Sequence, residues 1–120
     1  MEDDLNVIIL EINRLLPQLE TFIMQFKTVV LDTGVNVITD VEGNMSIDVP
    51  MKMSDDEANK ISAKVGIIDR LITNNGTSIN DLFQKGLRIE HSLKIKDPTY
   101  SSQLLKQIEM FKALNSSYKH

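Results

Sequence analysis

The sequence contains no cysteine and no tryptophan, and aromatic residues make up only 5% of it. Without cysteine there is no disulfide, no thiolate nucleophile and no cysteine-based zinc site, so a reducing compartment is the simplest setting. No apolar run approaches the length of a membrane-spanning helix. The acidic start Met1-Glu2-Asp3-Asp4 has the wrong charge for a secretory signal. These features predict a cytoplasmic protein, or a virion component if the protein is viral, with no membrane partner.

The length of 120 residues predicts a single domain over 1–120. Hydrophobic residues make up 42% and charged residues 25%, which is typical of a globular protein. The formal net charge of −4 is unevenly divided, because residues 1–60 carry −8 and residues 61–120 carry +4. This asymmetry favours head-to-tail packing of subunits, or two partners of opposite charge.

A heptad repeat covers the first thirty residues. With Leu5 as position a, every a, d and e position as far as Val30 is apolar. Three apolar positions per heptad are more than a two-position coiled-coil seam requires, so the pattern predicts a helix over 3–31 that is buried against at least two neighbours. Pro17 falls at an f position without interrupting the repeat, which predicts a kinked continuous helix or two abutting ones. Gly34 ends the element.

From residue 35 the period changes to two, and residues 35–51 predict a β-hairpin around the turn Glu42-Gly43-Asn44. Pro50 cannot donate a ladder hydrogen bond, so it marks a strand end or an exposed edge. A two-stranded ribbon is marginal by itself in water, so it must lie on the helices or pair with another molecule. Residues 35–39 contain no Pro or Lys, and this first strand is the predicted docking edge.

Three further helices are predicted after the hairpin. Ser54 and Glu57 form a capping box that begins the first of them, and Asn74-Asn75-Gly76 closes it in a left-handed cap. In Asp97-Pro98, the Asp caps the last helix and the Pro takes its first position. The predicted helices cover residues 54–74, 78–94 and 97–116. The predicted fold class is mainly α with a β-hairpin, an α+β arrangement.

No group of residues predicts catalysis. His91 and His120 are the only histidines, and neither has a carboxylate or a second histidine at metal-ligand spacing on its helix face. The sequence has no recognisable glycine-rich phosphate loop, nucleophile elbow or paired carboxylates. We therefore expect no catalytic residue, no cofactor and no metal.

Three local resemblances suggest partners. Residues 61–93 resemble a helix-turn-helix, with Lys85, Arg88 and Lys94 on its second helix, which implies DNA binding. Residues 97–100 join two helices in a way that resembles the central helix pair of viral small terminase subunits. The order helix, hairpin, helix is similar to that of prefoldin subunits, which hold client proteins with paired coiled-coil arms. Three helices after the hairpin depart from the prefoldin pattern, and no family is assigned.

The leading hypothesis is a non-enzymatic structural or assembly subunit of a larger complex such as a viral particle, either a homo-oligomer or a hetero-protein complex. One alternative is a nucleic-acid-binding or DNA-packaging adaptor that uses the basic second half. Another is a holdase-like chaperone or regulator that offers a Met-rich hairpin to an apolar partner. The leading hypothesis places the interface at helix and hairpin residues: Leu5, Ile9, Ile12, Leu16, Leu19, Ile23, Phe26, Val35, Val37, Thr39, Val41, Met45 and Ile47.

Overall fold

The computed structural model describes residues 2–39, 41–42, 45–50 and 52–119. Over these residues the chain is mainly helical with one two-stranded antiparallel ribbon, which confirms the predicted α+β class. The elements, in chain order, are α1 (Glu2–Thr33), β1 (Asn36–Thr39), β2 (Met45–Asp48), α2 (Asp55–Lys96) and α3 (Leu104–Lys119). The chain divides into two compact units: Met1–Thr21 with Thr73–His120, and Phe22–Ile72.

The first unit contains the beginning of α1, the second half of α2 and all of α3. Its fully buried side chains come from all three helices: Leu5, Ile12, Leu19, Ile79 and Leu104. The rings of Phe83 and Phe111 meet edge to face, with centroids 5.5 Å apart. Such pairs stabilise a core beyond the area that they bury. Apolar residues on one stripe of each helix therefore build this core.

The second unit contains the end of α1, the ribbon and the beginning of α2. Its core consists of Ile23, Phe26, Val29, Val35, Val65, Ile68 and Ile72. Gly34 has φ of 70°, the left-handed conformation that glycine adopts at little cost, and its N–H donates to Val30 O at 3.1 Å. The predicted end of the first helix at Gly34 is confirmed.

At the start of α2, Glu57 N donates to Ser54 Oγ at 3.2 Å, as the predicted capping box requires.

The predicted break at Asn74-Asn75-Gly76 is wrong, because α2 continues without interruption from Asp55 to Lys96. Within the first unit, Asn75 is buried, and a Cβ on Gly76 would lie 3.9 Å from the ring of Phe111. Ile79 and Phe83, which follow this segment, are buried in the same unit, and their packing outweighs the weak helix propensity of Asn74-Asn75-Gly76. The helices predicted at 54–74 and 78–94 are one helix. Because the predicted turn is absent, residues 61–93 do not form a helix-turn-helix.

The last helix begins later than predicted, at Leu104 instead of residue 97. Tyr100 N donates to Asp97 O at 2.9 Å, and the Asp97 carboxylate accepts a hydrogen bond from Thr99 N at 3.1 Å. These bonds form a turn with Pro98 at its second position, which suits the fixed φ of proline as well as a helix start does. The Asp-Pro pair therefore marks a turn here.

The ribbon is shorter than the predicted hairpin of residues 35–51. Its register pairs Val37 with Ile47, so these two residues share a face, as the alternation predicted. Val41 was predicted on the first strand but lies in the turn beyond it. Asp40, Gly43, Asn44 and Met51 lie outside the described residues, so the structure does not test the predicted turn in full.

Candidate protein interface

The predicted interface residues of α1 are buried inside the chain. Leu5, Ile9, Ile12, Leu16 and Leu19 lie in the core of the first unit, and Ile23 and Phe26 lie in the core of the second. Val35, just before the ribbon, is also buried. These residues form the core of each unit, and their use by a partner stays a prediction.

The ribbon of the second unit exposes apolar side chains on more than one side. Val37 and Ile47 are half-buried, whereas Val41 is fully exposed. Ile38 lies opposite Ser46 on the other face and is also exposed. Thr39 and Met45 are the remaining predicted interface residues of the ribbon, and their side chains are not among those that the structure describes.

Both outer edges of the ribbon lack a neighbouring strand among the described residues. In that part of the chain, β1 and β2 make no backbone hydrogen bond outside their own pairing. A strand edge of this kind presents N–H and C=O groups that a third strand can pair with, and proteins either block such edges or use them for binding. Pro50 and Lys52 follow β2 and are residues that block an edge, whereas β1 has neither type. The ribbon is therefore a candidate binding edge.

A second candidate surface was missed in the sequence analysis. We call it the outer stripe of α1: the c and f positions of the heptad that begins at Leu5, on the helix face opposite the buried a, d and e positions. Four large apolar side chains on it are well exposed: Val7 (65%), Leu10 (68%), Met24 (61%) and Leu31 (81%). The signal was present in the sequence, since these residues follow the same three-four spacing as the core stripe.

The polar members of the outer stripe form hydrogen bonds within the helix. In the first unit, Thr21 Oγ1 donates to Pro17 O at 3.0 Å, and in the second unit Thr28 Oγ1 donates to Met24 O at 2.9 Å. Arg14 forms an ion pair with Glu11, and the hydrogen bond from Arg14 lowers the pKa of that carboxyl. The stripe can therefore be covered without leaving a hydroxyl unpaired.

A small polar cluster in the first unit has a structural role. Ser102 Oγ donates to the Glu90 carboxylate, and Lys94 Nζ lies 3.0 Å from the same carboxylate. Burial raises the pKa of Glu90, but the hydrogen bonds from Ser102 and Lys94 outweigh it, and the net shift is downward. A carboxylate with a lowered pKa is a weak base and does not activate a serine well. The cluster attaches the loop before α3 to α2.

Other site types find little support in the described part of the chain. It contains no group of three or more His, Cys, Asp or Glu side chains that could hold a metal ion. None of its helices is long and apolar enough to cross a membrane. An open depression of about 240 Å³ in the second unit is lined by Lys60, Lys64, Asp32 and their neighbours.

Comparison with known proteins leaves the function open. No protein-family model, no curated protein and no solved structure matches this chain. The two exposed surfaces are therefore the basis for a functional proposal.

Proposed function

We propose that this chain is a non-enzymatic assembly subunit that joins a larger protein complex, such as a viral particle, through its ribbon and its helices. The observation that carries the proposal is the ribbon, whose β1 edge has no neighbouring strand among the described residues and which exposes apolar side chains at Ile38 and Val41. A two-stranded ribbon gains stability when a further strand or an apolar surface covers it. A partner that adds a strand at β1 would supply the backbone hydrogen bonds of a third strand and an apolar surface that covers Ile38.

Deletion of residues 36–49, closed by a short Gly/Ser link, tests the role of the ribbon. The variant and the intact chain are expressed with the same tag in the cells that make the protein, and the mass of the complex containing each is measured by light scattering. We expect the variant to keep its helical circular dichroism spectrum and to be absent from the complex. If the variant still joins a complex of the same mass, the ribbon is not the binding element.

A pair of point variants separates docking at the β1 edge from docking on the ribbon face. Ile38 and Ser46 are opposite each other in the register and both are exposed. A lysine opposes strand addition at the edge that carries it. Ile38→Lys should therefore weaken assembly strongly and Ser46→Lys should weaken it little. Equal effects would show that the partner covers the face of the ribbon.

A second candidate function is that of a holdase-like chaperone. The observation that favours it is the uninterrupted α2, which gives the order long helix, ribbon, long helix that resembles prefoldin subunits. The predicted Met-rich hairpin is only partly described, with Met53 half-buried and Met51 outside the described residues. Suppression of aggregation of an unfolded model protein at stoichiometric chain concentration would support this function, and lack of suppression would remove it.

A further inference from the structure

The two strands of the ribbon differ in how well their sequences resist a further strand. β1 (Asn36–Thr39) contains no charged residue and no proline, so every residue of it keeps a backbone N–H. β2 contains Asp48 and is followed by Pro50 and Lys52. Charged side chains and proline discourage pairing at a strand edge. A further strand is therefore expected beside β1 and not beside β2.

The exposed face of β1 has an apolar side chain at its centre. Ile38 is 53% exposed, and the residue opposite it in the ribbon is the exposed Ser46. Val37, the preceding residue, belongs to the other face and is half-buried. An incoming strand removes most apolar surface from water when it sets an apolar side chain directly opposite Ile38. The β1 sequence itself does this when it runs antiparallel and is centred on Ile38.

We infer that β1 pairs with β1 of a second copy of this chain, antiparallel and with the two Ile38 side chains opposite each other. The inference rests on the proposed assembly function and names the partner at the same strand edge. A two-fold axis perpendicular to the sheet relates the two copies. The product is a four-stranded antiparallel sheet in which the two β1 strands are central and the two β2 strands are outermost.

The charge distribution of the ribbon favours a second copy as the partner. Like charges directly opposite each other destabilise a sheet, and β1 paired with itself brings none together because Asn36–Thr39 is uncharged. The pairing also occupies the open edge of both copies at once. Only the β2 edges stay free, and these carry Asp48 with Pro50 and Lys52 beyond it. The assembly therefore closes at two copies and does not continue into a fibre.

A charge exchange at residue 38 tests the pairing in the purified full chain by sedimentation equilibrium. Ile38→Lys and Ile38→Glu should each raise the dimer Kd at least tenfold, because each sets two like charges opposite each other. An equimolar mixture of the two variants should recover most of the natural affinity, because Lys then faces Glu. Circular dichroism should show unchanged helicity, since Ile38 is exposed in its own chain.

Ser46→Lys and Ser46→Glu are the matched controls, on the same face of the same ribbon. The two copies of residue 46 would be three strand spacings apart, about 14 Å, which exceeds the screening length at physiological salt. Each control should therefore change the Kd by less than about threefold. Absence of recovery in the Ile38 mixture, or an equal effect of the Ser46 variants, overturns the inference.

Engineered cysteines test the register, because the natural chain has none. Ile38→Cys should form a disulfide-linked dimer on oxidation in air, since side chains directly opposite each other have Cβ atoms about 5 Å apart. Asn36→Cys should stay unlinked, because the two copies of residue 36 would be four residues out of register, about 13 Å. Failure of Ile38→Cys to link, or equal linking at residue 36, overturns the inference.

A purified chain that stays monomeric at every concentration also overturns the inference. That result is distinguishable from failure of the proposed function, because the ribbon deletion is scored on the complex isolated from cells. A monomeric chain whose ribbon deletion is absent from the complex would show that β1 receives a strand of a different protein. A deletion variant that still joins the complex would remove the proposed function, whatever the purified chain does.

Discussion

Gly86 of α2 lies so close to Leu104 of α3 that a Cβ added to the glycine would be 2.8 Å from Leu104 Cδ1. The same Cβ would be 3.4 Å from Cγ2 of Ile8 on α1. Leu104 is fully buried, so it has little room to move away. The absence of a side chain at residue 86 therefore lets the three helices of the first unit approach one another.

Gly86→Ala should lower the free energy of unfolding by about 1 kcal/mol, because overpacking against Leu104 exceeds the gain in helix propensity. Gly66→Ala in the same helix is the control. Nothing lies within 4 Å of a Cβ at residue 66, so this change should stabilise the protein by about 0.5–1 kcal/mol. Urea unfolding measures the change in the free energy of unfolding for both variants. Equal stabilisation by the two changes would contradict the close approach at Gly86.

Gln107 of α3 provides the second test in the first unit. Its Nε2 donates to Ile9 O at 3.0 Å and to Asn13 Oδ1 at 2.8 Å, and its Oε1 is buried without a hydrogen-bond partner in the described structure. Gln107→Met keeps the volume and removes the unpaired oxygen, so it should change stability by less than about 1.5 kcal/mol.

Gln107→Glu should cost about 3 kcal/mol or more at pH 7, because a buried carboxylate would face the carbonyl oxygen of Ile9. Burial would raise the pKa of the new carboxyl in the folded state, so acidification should recover part of the loss. Unfolding curves of the Glu and Met variants from neutral to acidic pH measure this. A loss that is independent of pH would show that the carboxylate reaches solvent.

The lowered pKa of Glu90 predicts how the stability of the chain depends on pH. Its folded pKa is lowered from 4.5, so its contribution is fully present above that value and is lost as the pH falls through the lowered folded pKa. Glu90→Gln should therefore cost about 1–2 kcal/mol at pH 7, and the difference from the natural chain should vanish in acid. Glu109→Gln, an exposed change on α3, is the control and should have little effect.

Adjacent residues on α1 distinguish its core face from its outer stripe in the second unit. Ile23 is buried, whereas Met24 is 61% exposed. Ile23→Glu should cost about 3 kcal/mol or more, since it buries an unpaired charge. Met24→Glu should change the stability of the isolated chain by about 0.5 kcal/mol at most. Circular dichroism melts at low protein concentration measure both, and a large loss at residue 24 would mean that the stripe packs within its own chain.

The sequence determined the elements that depend on local chemistry or on an uninterrupted period. The heptad predicted α1 through Pro17, the capping box predicted the start of α2 at Ser54, and Gly34 marked the end of α1. Each of these signals acts within a few residues along the chain, so no knowledge of distant contacts was needed. That Val37 and Ile47 lie on one face of the ribbon followed in the same way from a period of two, whereas the register that pairs them did not.

Tertiary packing decided the features on which the local signals were ambiguous. Asn74-Asn75-Gly76 is typical of a helix end, yet it is helical, because packing of the buried Ile79 and Phe83 that follow it in the first unit outweighs a small local preference. Asp97-Pro98 suits a helix start and a turn equally. Which parts of the chain cover the a, d and e stripe of α1 was also decided by the tertiary structure, because the repeat predicts a buried face but carries no information on the distant residues that pack against it.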